Sequence, residues 1–112
     1  MSNVVFYQGE TIPIYISGDA EIDLSYYEFV MLVYPNYNQE NVLEYRKSDF
    51  EKSNVDGITT FKTEVSYEIT KELPIGDYVI EIMVSEYNGY RSVYQKSSAF
   101  TLKFSNAKNI VL

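Results

Sequence analysis

The sequence predicts an all-β domain of two packed sheets, and three observations predict it. Apolar and polar residues alternate with period two along most of the chain, Val, Ile, Tyr, Phe and Thr fill the alternating runs, and turn residues recur about every ten positions. A chain of 112 residues holds one core and has no room for a second. Hydrophobic residues make up 46% and charged residues 22%, the balance of a globular domain rather than of a disordered chain or a membrane protein.

The first strand is expected over residues 4–8, closed by Gly9. Residues 10–16 place Ile12, Ile14 and Ile16 on one face. Pro13 cannot donate to a ladder, so this second strand lies at an edge or is bulged. A polar loop with Gly18 follows, and then the most apolar run, residues 27–34, reads as a strand covered on both faces and ended by Pro35-Asn36. Residues 42–47 alternate less well and read as an edge strand, with a polar connection from Ser48 through Asp56-Gly57. Residues 58–65 alternate again, with Phe61, Thr63 and Val65 inward.

One short helical turn is expected near residues 66–73, with Ser66 as its N-cap and Pro74 stopping it. Residues 77–86 put Tyr78, Ile80, Ile82 and Val84 on one face, and residues 91–104 end with Phe100, Leu102 and Phe104 pointing in. Asn88-Gly89 between them is the signal for a two-residue hairpin turn, because both positions of a type I′ turn need positive φ. The expected total is seven antiparallel strands, with the domain over 1–104 and a tail over 105–112 whose Ile110, Val111 and Leu112 are apolar enough to dock.

Absent residue types narrow the chemistry. There is no Cys, His or Trp, which removes thiol nucleophiles, disulfides, zinc thiolates and imidazole bases. Sixteen acidic against nine basic residues give a net charge of −7 with no basic stripe, so nucleic acid and anionic membranes are poor partners. No apolar run reaches the roughly 18 residues of a membrane helix. The opening residues lack the basic and apolar regions of a signal peptide, so synthesis and retention in the cytoplasm are expected. Glu81 and Glu86 are the carboxylates to weigh as an acid and base pair. A flat sandwich offers no deep cleft to tune them, and the expectation is that the protein is not an enzyme.

Two local patterns carry a resemblance. Gly9-Glu10-Thr11-Ile12-Pro13-Ile14 looks like the Gly-acid-Thr lead into strand B of an immunoglobulin-like sandwich. Leu73-Pro74-Ile75-Gly76-Asp77-Tyr78 resembles the tyrosine corner before strand F. The chain as a whole is similar to the immunoglobulin-like modules of bacteria and their phages, which occur in virion, tail, baseplate and surface proteins. The resemblance implies that Tyr78, with Leu73 and Gly76, locks the crossover by bonding its hydroxyl to upstream backbone. It also implies a structural or interaction module, incorporated into a virion, whose partner is a protein or a second copy. The paired cysteines and the tryptophan of antibody domains are missing, so an antibody or receptor analogy fails.

In such a strand order three loops meet at one end, over residues 18–23, 49–57 and 87–90. Asp19, Glu21 and Asp23 there form a candidate calcium site, because Ca²⁺ accepts six to eight oxygens from flexible loops. Solvated loops of an acidic protein look the same, and no cofactor is the base expectation. Twelve tyrosines are more than a small core can bury. Tyr87 and Tyr90 beside the hairpin tip, and Tyr34 and Tyr37 beside a turn at the opposite end, are candidate platforms for a protein or carbohydrate partner. Cross-strand pairing on half-exposed faces accounts for most of the others.

Overall fold

The computed structural model describes residues 4–17, 24–37, 42–85 and 89–112. These form two sheets packed face to face. Strands β1 (Val4–Tyr7), β2 (Ile12–Ser17), β3 (Glu28–Pro35) and β4 (Leu43–Arg46) are followed by β5 (Glu51–Val55), β6 (Ile58–Val65), β7 (Gly76–Ser85) and β8 (Arg91–Lys103). One sheet has the order β1-β8-β7-β3-β4 and the other β2-β6-β5. The second, sixth and fifth strands thus face the third, seventh and eighth, which is the immunoglobulin-like arrangement.

The inner faces explain the alternation. Ile12, Ile14 and Ile16 of β2 and Phe61 and Val65 of β6 meet Phe29, Met31 and Val33 of β3, Tyr78, Ile82 and Val84 of β7, and Phe100 and Leu102 of β8. Phe29 sits edge-on between Phe50 and Phe61, with centroids 5.3 and 5.1 Å away, the geometry that the aromatic quadrupole favours. β2 is an edge strand, so Pro13 removes no ladder bond that the sheet needs.

The structure corrects the expected fold in four places. There are eight strands among the described residues rather than seven, since the polar stretch after Phe50 is not a loop but β5, paired with β6. Asp56 and Gly57, at φ 52° and 79°, make the two-residue turn between them. The strands are not all antiparallel, because β1 crosses to the other sheet and runs parallel to β8. In the β7–β8 hairpin, Ser85 pairs with Arg91, whereas a two-residue turn at Asn88-Gly89 would pair Ser85 with Ser92. Residues 86–88 lie outside the described residues. Phe104 does not point inward: β8 ends at Lys103, and the Phe104 ring is exposed beneath the Lys108 ammonium, 5.5 Å from its centroid.

β8 carries two irregularities, each with one extra residue opposite β7. The register steps from Tyr78↔Phe100 to Val79↔Ser98, and from Ile82↔Gln95 to Met83↔Val93. The extra residues, Ala99 and Tyr94, both pack against the core, and at Ala99 the bulge adds an apolar contact at a position that strict alternation from Phe100 would turn outward.

A single helical turn, α1 (Tyr67–Thr70), joins β6 to β7. Ser66 holds the N-cap position through its backbone carbonyl, which accepts from the Ile69 and Thr70 amides, and its side chain makes no capping bond. Thr70 is fully buried. Its hydroxyl donates to the Glu10 carbonyl at 2.7 Å and accepts from the Gly9 amide at 3.1 Å. These bonds tie the β1–β2 turn to the crossover between the sheets. The final segment folds back over the same end, close enough that a Cβ on Gly9 would lie 2.9 Å from the Lys108 Cα. Beyond that contact Ile110, Val111 and Leu112 project into solvent.

Candidate functional site

Tyr78 sits where β7 leaves the crossover, with no exposed surface. Its ring stacks on Phe100 at 5.0 Å and 11° between planes, and its hydroxyl donates to the Pro74 carbonyl at 2.6 Å. Leu73 is buried beside it, and its carbonyl accepts from the Gln8 side-chain amide at 2.8 Å. At Gly76, φ is +139° and a Cβ would lie 2.9 Å from the Tyr37 ring. The corner therefore gathers Gln8 from just after β1, Tyr37 from just after β3, Gly76 of β7 and Phe100 of β8 around the Tyr78 side chain and its approach.

The candidate tyrosine platforms divide. Tyr37 is 60% exposed and lies across Gly76. Tyr34 is only 6% exposed, and its hydroxyl donates to the Glu81 carboxylate at 2.7 Å, so it presents no open ring to a ligand. Its neighbours across the outer face of the sheet cover it, which the turn residues after it gave no sign of. Tyr90 is exposed, and Tyr87 lies outside the described residues. The candidate calcium residues Asp19, Glu21 and Asp23, and Glu86, also lie outside them. In the 49–57 stretch, Asp49 accepts the Arg46 amide at 2.8 Å and Glu51 belongs to β5. Glu81 is held between Tyr34 and the Lys96 ammonium, 3.8 Å away. No helix among the described residues is long and apolar enough to cross a membrane.

Three tyrosines are held above the usual phenol range. For Tyr78 the cause is burial, followed by the nearby Tyr37. For Tyr45 it is burial and then Asp49, and for Tyr34 it is first the hydrogen bond to Glu81. Above pH 10, the ordinary value, the unfolded chain loses these protons while the folded chain keeps them. Stability is then unaffected well below pH 10 and falls as pH rises beyond it, with about 1.4 kcal/mol per pH unit as the upper limit of the slope from Tyr78. Urea midpoints between pH 9 and pH 11 should show this fall, and Tyr78→Phe should reduce the slope. A flat profile would contradict the burial.

Two surfaces that sequence reading did not assemble stand out. The first is a groove of about 720 Å³ between the β1–β2 turn, α1 and the final segment, lined by Tyr7, Gln8, Tyr67, Lys71 and Ile110 among others. It adjoins the outer edge of β1. The second, of about 670 Å³, lies near the hairpin end of the larger sheet between β4 and β8, with Arg46 and Arg91 on its lining.

The four sheet edges are not alike. β4 carries Glu44 and Arg46, β5 carries Glu51 and Lys52, and β2 carries Pro13. Charge and proline on an edge prevent a foreign strand from adding to it. β1 is Val4-Val5-Phe6-Tyr7, with neither, and Val4, Val5 and Tyr7 are exposed by 61%, 43% and 45%. Its signal was present in the sequence as an uncharged run, but nothing there shows that it forms an edge. No known protein-family model matches the chain, and no curated protein sequence does.

Proposed function

We propose that this protein is a non-catalytic interaction module of a larger assembly, engaged by strand addition along β1. The observation that carries this reading is the contrast among the four edges: three bear a charge or a proline, and β1 bears four uncharged β-formers. Strand addition takes affinity from main-chain hydrogen bonds and selectivity from alternate side chains, here Val5 and Tyr7. The groove beside β1 extends the apolar surface that an added strand would cover. The immunoglobulin-like strand order supports a structural role of the kind such modules have in phage virions, where many copies are built into one particle. That part of the reading is by analogy of fold.

The expected behaviour is association that grows with concentration, in the absence of any other protein. Light scattering behind a sizing column over a concentration series should show the mass rising above that of one chain. Val5→Lys, which puts a charge on the edge without touching the core, should return the protein to a monomer. A parent protein that stays monomeric at every concentration, or a Val5→Lys variant that associates as before, removes β1 as the contact.

A further inference from the structure

The chain contains two arginines, Arg46 and Arg91, far apart in sequence. Both line the groove at the hairpin end of the larger sheet. Strand pairing brings them there. Arg46 of β4 is in register with Val30 of β3, which is in register with Met83 of β7, while Arg91 of β8 is in register with Ser85 of β7, which pairs with Glu28. β4 and β8 are three strand spacings apart, about 14 Å between backbones. The two guanidinium groups thus stand on either side of a floor containing Val30, Met83 and Ser85. Lys47 also lines the groove, but its ammonium is turned toward the core, 5.9 Å from the Phe61 centroid, and donates to the Ser25 and Tyr27 carbonyls at 2.9 and 2.7 Å, so the two arginines are the cations that face the floor.

We propose that this groove binds a short acidic peptide segment of a partner protein, with Arg46 and Arg91 each taking a carboxylate and Val30 and Met83 covering an apolar side chain between them. The inference deepens the proposed function by assigning the module a second contact, and it rests on that reading. Charge decides the ligand class. The protein as a whole is at −7 and repels a long polyanion, but screening limits that repulsion to about 8 Å at physiological salt. A short segment therefore feels mainly the two local guanidinium groups. Among the described lining residues there is one acid, Glu28, which disfavours a phosphate dianion more than a carboxylate. Arginine matches a carboxylate with two parallel donors. The ion pair of Arg46 with Glu44, 2.9 Å, is exposed on both sides and gives way readily to a better placed acceptor.

The test is a titration of the ¹⁵N-labelled protein with a blocked Glu-Ile-Asp-Glu peptide, followed by amide chemical shifts. The expected result is saturable shifts at Val30, Met83, Ser85 and Arg91. Arg46→Ala and Arg91→Ala should each weaken binding about tenfold, and Glu28→Gln should tighten it. All three residues lie on the surface, and unchanged melting temperatures would confirm that the variants fold. The inference is overturned if the peptide causes no shifts, if both arginine variants bind as the parent does, if the amide version of the peptide binds equally well, or if inorganic phosphate binds more tightly. Light scattering on the same samples reads the β1 contact separately. A null titration with concentration-dependent association intact sinks this site alone, and the reverse outcome sinks the β1 reading and leaves the groove.

Discussion

Replacing Tyr78 with alanine is expected to remove a large part of the stability of this domain. The ring is fully buried, stacked on Phe100, and truncating a buried aromatic to alanine costs about 3–5 kcal/mol in lost transfer energy and residual cavity. A domain of this size has roughly 5–15 kcal/mol in all. The melting temperature should fall by about 15 °C or more. Tyr78→Phe separates the two contributions, since it keeps the stack and deletes only the hydroxyl at 2.6 Å from the Pro74 carbonyl. That change should cost about 1–2 kcal/mol, the value of one hydrogen bond plus part of the desolvation of the carbonyl left behind. Urea unfolding of both variants checks the split. If phenylalanine cost nothing, the hydroxyl would have no part in holding the crossover.

The consequence reaches beyond stability. α1, Leu73 and Tyr78 together carry the chain from the smaller sheet to the larger, and Gln8 and Thr70 tie β1 and the β1–β2 turn to the same segment. Loosening the corner should therefore also loosen the edge through which association is proposed. Weaker self-association is expected in Tyr78→Phe, although no residue of β1 is changed.

What the sequence made legible follows from burial. β2, β6 and β7 each keep one face against the core, so their period-two pattern survives in the residues themselves, whereas β3 is legible as an unbroken apolar run. β5 has the sequence of a loop because the side chains from Glu51 to Asn54 are all exposed. A run of four exposed side chains has no alternation to display, and only the Asp56-Gly57 pair marks the hairpin that contains it. Phe104 fits the alternation of β8 yet lies past the last paired residue, because period alone does not say where a ladder ends. The burial of Tyr34 and the meeting of Arg46 with Arg91 depend on which strands are neighbours. That information is carried by the register and by no single segment.

Gly76→Ala should have the second largest effect, and its cause can be divided by experiment. With φ at +139°, any residue with a side chain is strained there, at about 1–3 kcal/mol. A Cβ would also meet the Tyr37 ring at 2.9 Å. Tyr37 is a long, largely exposed side chain whose hydroxyl donates to the Ile75 carbonyl at a weak 3.4 Å, so it can swing aside. The steric part is then the loss of its packing rather than an unrelieved clash, and the total should be about 3 kcal/mol. Making the same change in a Tyr37→Ala background isolates the backbone strain, because the ring is already gone. The cost should drop there by about 1 kcal/mol but not vanish, the residue being the strain of β7's first position. Equal costs in the two backgrounds would mean that the ring does not rest on Gly76. A cost that disappears with the ring would mean that the backbone relaxes out of its positive φ.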